Sequence, residues 1–267
     1  DSYGDKFYTE DLKSLLYRSL GSYVYSRTKI DKMIKAGKER FIEGDAARIM
    51  KEIKKLKPDT IRDKLGAMLI YVFLEGDLRA PKLMSQIELD RELNVYNSQC
   101  ESIHLLSLSD ETNPIYQFVF GTSNIVGDLK NSIDNAFEKI LKINKNETSE
   151  IKMIDQVVFD RFFNESEIDK LKEIIIPSKN KTSRPAIAYG IFLGYSLILS
   201  ANHNFDLEAN KKIEEDITSS IKYIVDLINK NGLSSYSFYF YVLPFNDEKK
   251  EKKEIMETVI DGVLSYE

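Results

Sequence analysis

The stretch Ala186-Ile187-Ala188-Tyr189-Gly190-Ile191-Phe192-Leu193-Gly194-Tyr195-Ser196-Leu197-Ile198-Leu199 decides the class of fold. It carries no charge, yet it is shorter than the roughly twenty apolar residues that a membrane-spanning helix needs. With two glycines inside it, it reads as a buried strand. C-terminal to it, Ile213, Ile217, Ile221, Ile224, Val225 and Ile228 recur at helical spacing, and Asn231-Gly232 closes that helix. An aromatic strand is expected over Ser237–Leu243, ended by Pro244, and a charged amphipathic helix over residues 247–264.

N-terminal to the apolar run lies a basic loop between Pro177 and Pro185, preceded by a helical stretch from Ile151 to Phe163. Gly127-Asp128 opens another helix, with Leu129, Ile133, Ala136, Phe137, Ile140 and Leu141 on its apolar side. Lys82–Leu89, Glu101–Leu108 and Ile115–Phe120 are short strand-like runs, and Ser109-Asp110 and Asn113-Pro114 predict a hairpin between the last two. The chain starts with an amphipathic helix over Lys6–Val24 and more helix over Lys29–Lys57, stopped by Pro58. Asp59 or Thr60 then caps a helix bearing Ile61, Leu65, Met68, Leu69 and Val72, which breaks near Gly76. The order predicts an α/β fold, a mixed sheet flanked by helices. A helical extension over residues 1–58 is expected to join a core over residues 59–267 as one integrated unit.

Composition narrows the function. Of 267 residues, 42% are hydrophobic and 30% charged, with only 12 glycines and 6 prolines, which excludes collagen-like and wholly disordered chains. Cys100 is the one cysteine, so no internal disulfide can form and a cytoplasmic setting is expected. The net charge of −5 disfavours a general nucleic-acid clamp. It is uneven, however: residues 27–57 hold eleven basic and five acidic side chains, +6 there against −11 elsewhere. Such a face suits either phosphate contact or a solvated helix surface.

Motifs for chemistry are sparse. With His104, His203 and Cys100 alone, no familiar zinc spacing exists. Neither a nucleophile elbow nor a phosphate-binding glycine loop occurs. His104 lies in a strand and reads as a core histidine. Phe120-Gly121-Thr122-Ser123-Asn124 reads as a small polar turn between strand and helix. Acid-x-Lys triplets, among them Asp128/Lys130 and Glu150/Lys152, fall in helical or polar stretches and suit solvated surfaces.

The series Leu65–Glu75, Arg79–Leu83, Glu101-Ser102-Ile103-His104-Leu105 and Phe120–Asn124 resembles the HamA family, the nuclease-like subunit of Hachiman antiphage defence. Ala188–Tyr195 and Phe240–Phe245 fit the same family in order. The resemblance implies a restriction-endonuclease-like core of the PD-(D/E)xK type and a helicase-like partner subunit. The family pattern has Leu-Gly-Glu on the helix, an Asp before Ile-His, and Gly-Glu-x-Lys on the next strand. Here those positions fall on Ala67, Glu101, Thr122 and Asn124. Glu101 alone keeps a carboxylate able to ligate a metal.

The favoured expectation is therefore a binding or regulatory module with a degenerate nuclease site and no cofactor. It would act with a helicase or other nucleic-acid-processing partner, without a membrane. Lys51, Lys54, Lys55, Lys179, Lys181 and Arg184 are its candidate contacts for partner or nucleic acid. One alternative is an active Mg²⁺-dependent DNA nuclease whose ligands have migrated to Glu101, Asp90 or Asp128. Another is a dimerisation partner of an intact paralogue.

Overall fold

A computed structural model describes residues 2, 3, 6–56, 64–88, 100–108, 116–147, 186–197, 199 and 205–262. A two-residue hairpin, β1 (Ser2–Tyr3) and β2 (Lys6–Phe7), precedes α1 (Glu10–Val24). The helix thus starts four residues later than its periodicity suggests, because Lys6 and Phe7 pair as strand. The basic segment forms two helices, α2 (Arg27–Lys35) and α3 (Ile42–Leu56), joined through a tight turn at Glu39–Phe41. Ser26 caps α2, accepting the Lys29 N–H at 3.3 Å, and Gly37 at φ 68° ends the helical path. Pro58 and the expected cap at Asp59 or Thr60 lie outside the described residues.

Next come α4 (Lys64–Gly76), β3 (Lys82–Ser85), β4 (Ser102–Ser107), β5 (Tyr116–Ile125) and α5 (Leu129–Lys145). The chain closes with β6 (Ala186–Ser196), α6 (Phe205–Lys230), β7 (Ser237–Phe245) and α7 (Glu248–Asp261). The first strand run stops at Ser85, four residues short of Leu89, because Gln86–Glu88 turn helical. The predicted helix at 151–163, the 177–185 loop and the turn between β4 and β5 lie outside the described residues.

The sheet has the order β3-β4-β5-β6-β7. In it β4 runs antiparallel to both β3 and β5, and β5, β6 and β7 run parallel. This is the mixed sheet flanked by helices, with helices at the N-terminus, that the sequence led us to expect. Strand periodicity splits the core in two. Phe118 and Phe120, Tyr189, Ile191 and Leu193, and Phe238 and Phe240 face α5 and α6. Val119, Ala188 and Phe192, with Tyr239 and Tyr241, face α1, α3, α4 and α7. The uncharged run is β6, central between β5 and β7 and buried on both faces. Pro244 does not stop β7 but pairs with Tyr195 inside it. An edge strand tolerates proline because the missing donor faces away from the ladder.

Lys82 ties the N-terminal helices to the sheet. Buried, it donates to the carbonyls of Ser22 and Tyr25 at 2.6 and 2.9 Å and pairs with Glu88 at 2.9 Å. It thereby satisfies carbonyls at the end of α1, where a cation also complements the helix dipole. Burial pulls its pKa below the ordinary lysine value, and Glu88 opposes that shift.

Candidate functional site

The site begins where β5 outruns its neighbour. The β4–β5 ladder pairs Ser102 with Gly121, and the Glu101 N–H reaches the Gly121 carbonyl at 2.8 Å. Ser123 and Ile125 lie beyond that last pairing, on the same strand. Their carbonyls take side-chain cations instead: Lys139 of α5 donates to Ser123 O at 2.7 Å, and Lys252 of α7 to Ile125 O at 2.8 Å. A buried carbonyl needs such a partner once the ladder has run out.

Of the four positions marked by the family resemblance, Glu101, Thr122 and Asn124 lie at this overhang. Glu101 is buried immediately before β4, and its Oε1 accepts from Lys139 Nζ at 2.8 Å. One ammonium thus bridges a carboxylate and a strand carbonyl. Thr122 and Asn124 are not in a polar turn; they sit on β5, Thr122 fully buried and Asn124 partly so. The strand carries on past Phe120 because β6 pairs with it as far as Ile125. Glu101 Oε2, Thr122 Oγ1 and Asn124 Oδ1 are buried with no hydrogen-bond partner among the described residues. Ala67 is buried on α4 and brings no polar atom. Beside it, Gly66 joins Ser123, Asn124, Asn135, Lys139 and Lys252 in lining a recess of about 330 Å³.

Of the other expected residues, Asp128 caps α5, its Oδ1 accepting from the Asn131 N–H at 2.8 Å. Asp90 lies outside the described residues. Lys51 and Lys54 face α7, paired with Asp261 at 3.4 Å and Glu257 at 2.9 Å, and Lys55 is exposed. Lys179, Lys181 and Arg184 lie outside the described residues. Sequence reading missed Lys139 and Lys252. The one available signal is weak: Lys139 stands three residues after Ala136 and four before Ile143, on the border of the buried stripe of α5. A long amphipathic side chain can reach inward from such a border.

The chemistry present is limited. One carboxylate is matched by one ammonium, and the two strand positions are neutral. Among the described residues, no three or more His, Cys, Asp or Glu cluster as a metal site.

The fold defines an α/β protein with a five-stranded mixed sheet flanked by helices. The chain belongs to the HamA family, whose model matches residues 2–259. Membership supports a subunit of Hachiman antiphage defence. No curated protein and no solved structure matches the chain. Among the described residues, no helix is long and apolar enough to cross a membrane.

Proposed function

We propose that this HamA-family chain serves antiphage defence as a binding or regulatory module whose nuclease-like site has lost its chemistry. The observation that carries the reading is the Lys139 ammonium between Glu101 and Ser123 O, beside neutral Thr122 and Asn124. Metal-dependent phosphodiester cleavage draws on carboxylates that converge on a divalent ion. Mg²⁺ asks for an octahedron of hard oxygens, normally anchored by carboxylates. Here the single motif carboxylate is already neutralised, so the donor set does not fit that ion. Loss of a metal carboxylate and of a transition-state cation each costs roughly a thousandfold in rate.

On this reading the fold persists as a scaffold for a helicase-like or other nucleic-acid-processing subunit in the cytoplasm. Lys55, Lys179, Lys181 and Arg184 are the cations offered to such a partner or to its nucleic acid. The competing reading, an active nuclease with migrated ligands, draws support from the same lysine, which restores a cation beside Glu101. Among the described residues, however, no Asp or Glu lines the recess beside Lys139.

Cleavage of plasmid and single-stranded DNA in Mg²⁺ or Mn²⁺ separates the two. The assay compares the chain with Glu101→Ala, each alone and co-purified with its partner. We expect both proteins to remain at background. Cleavage that disappears in Glu101→Ala would overturn the degenerate-site reading and make Glu101 a working ligand.

A further inference from the structure

We propose that the Lys139 ammonium is a built-in substitute for a divalent cation, holding together a set of oxygens that would otherwise recruit a metal. The set is unusual for a protein interior. Glu101 Oε1 and Ser123 O both take the ammonium, at 2.8 and 2.7 Å. Glu101 Oε2, Thr122 Oγ1 and Asn124 Oδ1 are buried at the same end of β4 and β5 with no partner among the described residues. Carboxylate, carbonyl, hydroxyl and amide oxygens are the donors that hard cations select. Buried polar atoms are almost always satisfied, so three orphaned oxygens at the end of the sheet where this cation sits call for a physical reason.

The reason lies in how each part reaches the site. The β5 overhang presents Ser123 O on the side where β4 has ended. Glu101 stands one residue before β4 and is 6% exposed, so it needs a positive partner. The fold supplies that partner from α5 rather than from solvent. An ammonium carries one charge and three directed donors, enough to hold a carboxylate and a carbonyl but not every oxygen of the set. A divalent ion arriving with Lys139 in place would meet that charge at close range. Lys139, Ser123 and Asn124 line the 330 Å³ recess, so removing the ammonium leaves this end of β5 open to a metal.

The inference shares with the proposed function the premise that the native site holds no divalent ion, and it is tested without reference to catalysis. Mn²⁺ is titrated into the full chain, Lys139→Ala, Lys139→Met and Lys139→Met/Glu101→Gln, with free Mn²⁺ read by electron paramagnetic resonance and Tm by calorimetry. Lys139→Met keeps most of the aliphatic stem, so it serves where Lys139→Ala does not fold. The native chain should show no saturable binding and no shift of Tm with Mn²⁺. A Lys139 variant should have a lower Tm that Mn²⁺ raises, and should bind at least about tenfold more tightly than the native chain, at roughly millimolar Kd for so few carboxylates. Adding Glu101→Gln should abolish that binding.

Lys139 variants that fold and bind no Mn²⁺ would overturn the inference. So would a native chain that binds Mn²⁺ as well as they do. DNA cleavage lost in Glu101→Ala would instead overturn the proposed function, so the two failures are distinguishable.

Discussion

At the scale of single residues, His104 is the group whose setting makes a measurable claim. It is fully buried on β4, and its Nδ1 lies 2.8 Å from the Ala80 carbonyl. A carbonyl only accepts, so the network assigns the proton of the neutral ring to Nδ1. Burial pushes the pKa down to about 3, Lys82 and Arg27 adding to the shift and the Ala80 bond opposing it. The unfolded chain returns it to about 6.5 and so binds more protons between those values. The contribution is therefore fully present above pH 6.5 and lost as pH falls towards 3. By pH 5 this one group should remove about 2 kcal/mol of stability relative to pH 7. Urea unfolding at both pH values, for the native chain and His104→Gln, checks it: the variant should lose less by roughly that amount. Equal losses would rule the histidine out as the source. That His104 belongs to the core was legible in the sequence, since it falls inside an apolar strand. Its carbonyl partner was not, because the turn after α4 brings Ala80 there from outside the strand.

At the scale of elements, the seat of α4 on the sheet depends on absent side chains. Gly121 and Gly190 are register partners on β5 and β6, and Leu74 of α4 lies over both. A Cβ at Gly190 would stand 2.7 Å from Leu74 Cδ2 and 2.9 Å from its Cδ1. Gly190→Ala should thus lift the helix or force Leu74 off its rotamer, destabilising the chain by about 1–3 kcal/mol. Leu74→Ala combined with Gly190→Ala should cost less than the two single changes summed, because the added methyl fills part of the space vacated. Additive losses in denaturant melts would contradict the contact. The α4 pattern itself was readable from its apolar spacing. Its distance from the sheet was not, since a glycine in a strand run signals a close approach without naming the neighbour. The misread ends of β5 and β7 have a related cause. Local turn chemistry at Gly121–Asn124 and Pro244 was overridden by pairing with β6, a strand distant in sequence.

At the scale of the whole molecule, the uneven charge is partly resolved by packing. The basic α3 faces α7, and Lys51 and Lys54 meet Asp261 and Glu257 there. These pairs are solvent-accessible, so each is worth less than about 1 kcal/mol. Their consequence is electrostatic: two of the cations counted as free in the sequence are already answered by acids some two hundred residues away. Lys51→Ala/Lys54→Ala should therefore leave any retention of DNA on a filter, and its dependence on salt, close to native. A drop in affinity with a shallower salt slope would instead place these lysines on phosphates. Either way the double change should shift unfolding by no more than about 2 kcal/mol.

The sequence by itself determined which segments alternate and which recur at helical spacing, because those periods are properties of consecutive residues. It therefore carried the α/β class, the central uncharged strand and the hairpin of β4 and β5, while the positions Ala67, Glu101, Thr122 and Asn124 came from the family resemblance. Tertiary structure alone decided what those positions face. Lys139 meets Glu101 only because α5 packs back over the sheet and β5 outruns β4, leaving a carbonyl that needs a donor. Lys252 reaches the same overhang from α7. Neither approach follows from local spacing, since each is fixed by a ladder that ends and by a helix that returns.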